Sequence, residues 1–578
     1  MKFFKSIVGA LAAGVIFTGC VDKDPDEKFY PNPDVDFTYN VDGDEYKYDY
    51  YVVSTIQFNN TSVKTGNFTW DFGDGSAPST EVSPTHKFEK AGLYKVTLTL
   101  DGVGSKTYPI LIYDIVPVLS VESQTTDIVE FNSTMLTFNL ELPNPENLRV
   151  KYQWTFPEGT TDADGNEITE FTGYSDENGN IEYPAPVKFR NIGSQRIDIK
   201  TWFDTEGENR RLEDSYLNVQ VGTATPAPTI YYAQRGGNIK ALKLVDQLPE
   251  GTKVLPYDMG VPSGSTVFNL CYTEVDATDE EGAAYKQGWV YILDAGKQYY
   301  YINDEDGVLG DGQITAMRTD GSGVNTVVTN VGGAAFNDPF IGYIKDGNLY
   351  YTDRNTGASV LPVTTRGAVE GKNSDNQRSS YFVQNNLISY YGRGIAYGAI
   401  SNGLYKDKSG YWWWGKKYNG VGIFRFNDSQ IYNTQKDAES NALPGPIVMA
   451  DVKMSTFGID EKRNALYCWR TSPNQGFLAL PLPAISATVT ANDATTFIAM
   501  EADPVNTTAD EGLFTTQFAI DDASGRVYFC YRPAAGETDY PAGIYYFDAA
   551  GDKKMHKYGE TNDLGTGIVI NPNPSQLF

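Results

Sequence analysis

Short alternations of apolar and polar residues, separated by turn residues, run through most of the chain. Between Gln298 and Val331 an aromatic run, an acidic glycine-rich turn and the alternating segment 314–318 are followed by Asp320-Gly321 and a further apolar segment. A period of two is typical of strands with one buried face, and Asp-Gly is typical of tight turns between antiparallel strands. The pattern predicts three short antiparallel strands, most of one blade of a β-propeller.

Similar strand-rich segments recur along the C-terminal part of the chain. Aromatic residues at corresponding positions are Tyr231, Tyr300, Tyr350, Trp413, Tyr467 and Tyr528, at separations of 69, 50, 63, 54 and 61 residues. Repetition at this period indicates radial blades that bury their apolar faces against their neighbours, so the ring must be complete. We therefore predict a propeller over residues 229–578. Six blades fit the repeats, and seven remain an alternative.

Two motifs of this region carry a family resemblance. The segments Tyr350-Tyr-Thr-Asp353 and Met317-Arg-Thr-Asp-Gly-Ser322 make residues 229–570 similar to the YWTD-type six-bladed β-propellers. The resemblance implies the same closed ring of antiparallel blades.

Residues 34–114 have the pattern of a small β-sandwich. Trp70 and Phe72 point to one face of a strand, Gly73-Asp-Gly75 turns the chain, and residues 94, 96 and 98 alternate as a core-facing strand should. With Ser83-Pro-Thr-His86 these motifs closely resemble the PKD domain, an immunoglobulin-like sandwich. The resemblance implies that His86 is a structural residue of the framework.

A degenerate second copy is predicted over residues 115–222. Trp154-Thr-Phe156 echoes Trp70-Asp-Phe72, and Phe189 precedes Gly193 by the same four residues that separate Phe88 from Gly92. The distance from Trp to Phe grows from 18 to 35 residues, so we expect an insertion at about 162–180 to loop out. This sandwich would be a spacer. Residues 223–228, with two prolines, are predicted to form a stiff joint.

The first 33 residues read as an export leader and a tether. Lys2 and Lys5 precede the apolar run 7–17, which is too short to span a bilayer as a mature helix. Thr18-Gly19-Cys20 resembles the lipobox of bacterial lipoproteins, which implies removal of residues 1–19 and lipidation of Cys20. The acidic tether 20–33 resembles the surface-export signal of Bacteroidetes lipoproteins. We expect a lipid-anchored protein on the cell surface at the outer membrane.

The net charge of −28 disfavours nucleic acid as a partner, since an acidic surface repels phosphate backbones. Two histidines and four cysteines leave little material for a histidine-rich metal site or a histidine-dependent triad. Cys271, Cys468 and Cys530 are expected to be buried apolar residues, with a Cys468–Cys530 bridge as the alternative. No cofactor is predicted.

Calcium is the metal that the acidic loops permit. Asp304, Asp306 and Asp311 crowd one glycine-rich loop, and Asp162, Asp164, Asp176 and Glu177 line another region. Neither set has the regular spacing of a helix-loop-helix calcium site, so turn formation is the favoured interpretation.

The candidate ligand-binding residues are aromatic. Trp412, Trp413 and Trp414 cannot all face one way on a strand, so we expect part of this run to point outward, beside the polar loop that contains Tyr418. Tyr390 and Tyr391, before a Gly-Arg-Gly segment, are a similar candidate. Packing between neighbouring blades is the alternative.

Three functions remain open. The first is a non-catalytic binding protein that captures a glycan, peptide or protein, which resembles the accessory lipoproteins of TonB-dependent outer-membrane importers. The second is a propeller glycoside hydrolase or lyase that uses paired carboxylates. The third is an adhesion or scaffold protein.

Overall fold

The computed structural model describes residues 34–41, 50–144, 146–205, 208–234, 236–264, 267–294, 312–331, 342–345, 348–351, 359–362, 400–416, 422–427, 453–472, 476–482, 496–499, 517–531, 533, 540–552, 554–562 and 565–577. These residues form strands and turns and contain no α-helix. The predicted all-β class is therefore confirmed. The leader and tether, residues 1–33, lie outside the described residues.

The first sandwich packs two sheets face to face. Its strands are β1 (Phe37–Val41), β2 (Tyr50–Tyr51), β3 (Thr55–Asn60), β4 (Phe68–Asp71), β5 (Thr85–Lys87), β6 (Gly92–Leu100) and β7 (Gly104–Tyr113). One sheet has the order β1-β3-β5 and the other β2-β7-β6-β4. Trp70 is fully buried between them, as its alternation with the exposed Asp71 predicts. Gly73 has a φ of +74°, and a Cβ there would lie 2.7 Å from the backbone oxygen of Lys95, so the turn requires glycine.

The second sandwich repeats this plan with a larger sheet. Its strands are β8 (Val118–Gln124), β9 (Leu136–Glu141), β10 (Val150–Thr155), β11 (Thr160–Thr161), β12 (Glu170–Tyr174), β13 (Lys188–Phe189), β14 (Gly193–Thr205), β15 (Glu208–Arg211) and β16 (Ser215–Val221). The order β12-β10-β14-β15, with β16 also paired to β14, faces the hairpin β8-β9. The insertion expected to loop out instead supplies β12, which extends the large sheet beside β10.

Among the described residues that follow, six sheets form the propeller, each an antiparallel meander. Their strands are β17 (Ala227–Gln234), β18 (Asn238–Lys243) and β19 (Tyr257–Pro262) in blade 1; β20 (Val267–Thr278), β21 (Ala284–Asp294), β22 (Gly312–Arg318) and β23 (Asn325–Val331) in blade 2; β24 (Gly342–Lys345), β25 (Asn348–Tyr351) and β26 (Ser359–Pro362) in blade 3; β27 (Ile400–Lys406), β28 (Tyr411–Lys416) and β29 (Gly422–Asn427) in blade 4; β30 (Lys453–Asp460), β31 (Ala465–Ser472), β32 (Gly476–Pro481) and β33 (Thr496–Ala499) in blade 5; and β34 (Phe518–Ile520), β35 (Val527–Tyr531), β36 (Gly543–Phe547) and β37 (Met555–Lys557) in blade 6.

A last strand, β38 (Gly565–Ser575), closes the ring. It pairs with β17, so blade 1 combines the beginning and the end of this region in the order β19-β18-β17-β38. The innermost strands β38, β20, β24, β27, β30 and β34 contact one another in this order around the circle, and β34 contacts β38. The fold is a six-bladed propeller.

The propeller core lies between the blades rather than inside a single layer. Separate clusters of buried side chains fill the interfaces of blades 1 and 2, 2 and 3, 4 and 5, 5 and 6, and 6 and 1. Both faces of a blade are therefore covered, and middle strands such as β31 and β35 are buried on both sides.

The second sandwich contacts the propeller on the face where the innermost strands end. Gly222 and Thr223 pack against Gln576, which follows β38. The loop between β18 and β19 runs beside the second sandwich, where Leu255 N–H donates to the oxygen of Ile192 at 2.8 Å. Strand β17 begins within the segment that the sequence predicts as the joint. The opposite propeller face points away from the sandwiches.

Candidate binding site in the propeller channel

The innermost strands of all six blades surround a central cavity of about 510 Å³. Apolar side chains such as Leu270, Ile344, Phe457 and Phe518 line its wall. Polar groups gather towards its two ends. Its lining is about as polar as it is apolar, and a cavity that combines apolar surface with positioned polar groups can hold a small molecule.

Two amides lie where the innermost strands begin. The Gln517 side-chain oxygen accepts hydrogen bonds from the N–H groups of Leu270 at 2.9 Å and Ile568 at 3.0 Å, and its Nε2 donates to the oxygen of Leu270 at 2.7 Å. Asn269 Oδ1 accepts from the N–H of Gly342 at 3.2 Å. Asn269 thus joins β20 to the neighbouring β24, and Gln517 joins blade 6 to both β38 and β20.

Charged residues lie at the other end, in the turns that follow β27, β30 and β34. Glu461 Oε1 accepts from the Tyr405 hydroxyl at 2.9 Å and from the Lys408 N–H at 2.8 Å. Lys462 Nζ donates to the backbone oxygen of Asp522 at 2.7 Å. Burial, the neighbouring Tyr343 and the bond to Glu461 all raise the pKa of Tyr405, so this hydroxyl stays protonated.

Two of the carboxylates at this end already have partners. Asp460 is buried, and its oxygens accept from the Arg463 N–H at 3.0 Å and from Arg463 Nη1 at 2.9 Å. Glu461 is held by Tyr405 and Lys408. Both groups therefore serve to join the turns.

The prediction that rings of the tryptophan run point outward is wrong for Trp412 and Trp413. Both are fully buried. The Trp412 ring meets Tyr343 of blade 3 edge-on at 6.2 Å, whereas Trp413 packs into the cluster with blade 5 and donates to Asp407 at 2.8 Å. A strand inside a propeller blade has two covered faces, so alternation sends neither ring to solvent. Only the backbone of Trp414 is described.

The other predicted ligand residues, Tyr390, Tyr391 and Tyr418, lie outside the described residues. The same holds for the calcium candidates Asp304, Asp306 and Asp311. Within the part of the chain that the structure describes, no cluster of three or more His, Cys, Asp or Glu residues is placed to hold a metal ion.

The acidic loops of the second sandwich form turns. Asp162 accepts from the N–H groups of Asp164 and Asn166, both at 2.9 Å, and Asp176 accepts from those of Asn178 and Asn180, both at 2.8 Å. Side-chain bonds from Asn166 and Asn180 lower the pKa values of Asp162 and Asp176.

Cys271, Cys468 and Cys530 are free and buried, so the alternative of a bridge is excluded. Cys468 lies between blades 4 and 5, whereas Cys530 lies between blades 6 and 1. When the equivalent strands of the two blades are aligned, the two cysteines differ by one position. Their side chains therefore point to opposite faces of their blades. Burial raises the pKa of Cys468 to about 12, so its thiol is inert.

His86 occupies the interior edge of the first sandwich. Its ring stacks on Phe72 at 3.9 Å between centroids, and its Nε2 lies 2.7 Å from Asp74 Oδ2. Burial alone would raise the pKa of Asp74, but the bonds from Ser76 and His86 outweigh it and hold the pKa below its usual range. These contacts give the histidine a structural role.

Among known families, the PKD domain matches residues 38–108. This agrees with the motifs of the first sandwich. No curated protein matches the chain. Among the described residues, no helix is long and apolar enough to cross a membrane.

Solved structures give three distant likenesses. A 6-phosphogluconolactonase candidate from Bacteroides uniformis is 11% identical, with a TM-score of 0.30 over 58% of this chain and 83% of its own. A protein of unknown function from Bacteroides thetaiotaomicron is 10% identical, with a TM-score of 0.29 over 79% of this chain and 93% of its own. A carbohydrate-binding module of the β-sandwich superfamily is 15% identical, with a TM-score of 0.12 over 33% of this chain and 95% of its own. At these TM-scores the likenesses do not bear on function.

Sequence reasoning missed the channel residues. Asn269 and Gln517 are single amides in short strands and carry no motif. Only the assignment of β20 and β34 as innermost strands reveals that each amide bonds to strands of other blades.

Proposed function

We propose that the chain is a non-catalytic binding protein of the bacterial cell surface, in which two sandwiches carry a propeller that captures an extracellular glycan or peptide. The observation that carries this proposal is the cavity of about 510 Å³ enclosed by the six innermost strands. Its size suits a small ligand or one terminal unit of a larger one. The proposal includes lipidation at Cys20 and attachment to the outer membrane.

The partner in this proposal is a TonB-dependent importer, for which the chain would be an accessory. The propeller face opposite the sandwiches would stay open to an extracellular ligand, because the second sandwich contacts the other face. A protein ligand, as in adhesion or scaffolding, is the competing form of the same binding role.

The enzyme alternative is less favoured. Glycoside hydrolysis needs one carboxyl group that holds its proton and a second that attacks or activates water. In the described part of the channel, Asp460 is bonded to Arg463, and Glu461 to Tyr405 and the Lys408 backbone, so neither is placed to act on a substrate.

Titration of the purified chain with glycan and peptide libraries tests the proposal. Ile344→Trp replaces an aliphatic side chain with a large aromatic ring against the cavity. It should abolish binding of any ligand that enters the channel. Val324→Trp adds the same ring at an exposed position, 51% accessible on blade 2, and should leave binding unchanged. Equal binding by both variants would place the ligand elsewhere. Turnover of a bound glycan would establish the enzyme alternative.

A further inference from the structure

The large sheet of the second sandwich presents a row of aromatic and basic side chains to solvent. Tyr174, Lys151, Trp202 and Arg211 lie directly opposite one another on β12, β10, β14 and β15. Residues paired in this way share one face of a sheet. The opposite face is the buried core. At about 4.8 Å between strands, the row is roughly 14 Å long.

Cations and aromatic rings alternate along this face. The Lys151 ammonium lies 5.5 Å and the Arg211 guanidinium 6.0 Å from the Trp202 ring centroid. Beside this row, Arg149 lies 4.4 Å from the ring of Tyr174. A fourth pair, Arg196 over Tyr216 at 4.2 Å, lies further along the same face. Such contacts hold long basic side chains against the sheet with their charges near solvent.

Several of these charges are not neutralised. Among the described residues, no carboxylate lies within ion-pair distance of Arg149, Lys151 or Lys200. Lys200 lies in the next row, opposite Gln153. Two carboxylates of this face are paired, Asp198 with Arg196 and Asp214 with Arg211. Two others, Glu170 and Asp204, lie in flanking rows of the sheet.

This basic face belongs to a chain with a net charge of −28. An anionic ligand is repelled by most of such a surface and attracted to the face that bears unpaired cations. The partly exposed Trp202 and the exposed Tyr174 offer ring surface for the apolar faces of a sugar, and arginine and lysine bind carboxylate or sulfate groups.

We propose that this face of the second sandwich binds an anionic polysaccharide, whose sugar rings lie on Tyr174 and Trp202 and whose acidic groups pair with Arg149, Lys151 and Lys200. The sandwich is then a binding domain as well as a spacer. The site is separate from the propeller channel, so it holds or fails independently of the proposed function.

Affinity electrophoresis of the full chain tests this site, with polygalacturonate, dextran sulfate or neutral dextran in the gel. We expect retardation by polygalacturonate or dextran sulfate, not by neutral dextran, and weaker retardation at higher salt. Trp202→Ala and the double variant Lys151→Gln, Lys200→Gln should each weaken binding about tenfold. The two anionic polymers distinguish carboxylate from sulfate recognition.

Lys106→Gln is the matched control. Lys106 also lies over an aromatic ring, Tyr108 at 4.9 Å, but belongs to the first sandwich. Its loss should leave retardation unchanged. The lysine variants keep Trp202, so they report on binding even if Trp202→Ala folds poorly. Equal retardation by neutral dextran, no retardation by either anionic polymer, or retardation that both the Trp202 and lysine variants retain would overturn the proposal. Binding only to acidic proteins would also overturn it.

Discussion

Lys243 is a buried lysine of blade 1, close to where the propeller meets the second sandwich. Its ammonium donates to the oxygen of Ala227 at 3.0 Å, to Thr229 Oγ1 at 3.0 Å and to Ser575 Oγ at 2.8 Å. These three acceptors belong to the first and last strands of the ring. Burial lowers the pKa of Lys243 to about 7, because it removes the hydration that stabilises the charged ammonium.

This depressed pKa predicts how stability depends on pH. Between pH 7 and the ordinary lysine value of 10.5, the unfolded chain binds a proton at this site that the folded chain lacks. Its contribution to the free energy of unfolding therefore rises with pH, by up to about 1.4 kcal/mol per pH unit. Lys243→Met should remove this slope in urea unfolding measured from pH 7 to 10. Lys200→Met, at an exposed lysine, should retain it. An unchanged slope in Lys243→Met would contradict the assignment.

At the residue level, the sequence predicted the side chains of the first sandwich better than those of the propeller. Trp70, Val96 and Leu98 are buried as their alternation indicates. The same rule misplaced Trp412 and Trp413, because it assumes that one face of a strand meets solvent. Burial on both sides is a property of the ring, which local alternation does not encode.

At the level of elements, the aromatic repeat located the second strands of the blades with one exception. The sequence placed the second strand of blade 2 at Tyr300, whereas the structure forms it as β21, around Tyr291. With Tyr291 in place of Tyr300, the first two separations become 60 and 59 residues, and the repeat is more regular. Strands β20 and β21 lack a turn motif comparable to the acidic, glycine-rich sequence that follows Tyr300.

The pairing of β38 with β17 could not be read from local pattern. The two strands lie more than 300 residues apart, and nothing in their composition distinguishes a closing strand from an ordinary one. The amides that join the innermost strands were missed for the same reason, since their partners are distant in sequence.

Gln517 tests how firmly the innermost strands are joined. Gln517→Leu keeps the approximate size of the side chain but leaves the N–H groups of Leu270 and Ile568 without their acceptor. We expect a loss of about 2–4 kcal/mol in the free energy of unfolding, measured in urea by tryptophan fluorescence. Gln313→Leu on β22, whose side chain forms no hydrogen bond to the described residues, should change it by less than about 1 kcal/mol. An equal loss of unfolding free energy in the two variants would mean that the hydrogen bonds of Gln517 contribute little to stability.

At the scale of the whole molecule, the sandwiches and the propeller are held together by more than a linker. Backbone bonds join Ile192 to Lys253 and Leu255, and Lys253 also pairs with Glu158 at 2.8 Å. The two sandwiches share one continuous buried cluster, and Arg210 of the second donates to the oxygen of Val52 in the first. The proline-rich joint expected from the sequence is thus supported by contacts that the second sandwich makes with the propeller and with the first sandwich.

Gly193 tests this rigid connection. It has a φ of +106°, and a Cβ there would lie 2.1 Å from the backbone oxygen of Leu255. Gly193→Ala should separate the propeller from the second sandwich, which would increase the radius of gyration in small-angle X-ray scattering and expose residues 246–256 to proteases. Gly165→Ala imposes a similar backbone strain, with a φ of +87°, but meets no atom within 4 Å. That control should remain compact. An unchanged radius for Gly193→Ala would show that the connection tolerates the change.

The pairing of the first and last propeller strands also sets a condition on biogenesis. Blade 1 lacks its innermost strand until Gly565–Ser575 has been synthesised, so an incomplete chain has an unpaired edge on β17. Proteolytic trimming before Gly565 would leave the same edge in a finished molecule and turn it into a template for aggregation. The last strand is therefore needed both to complete the ring and to cover an edge that could recruit other chains.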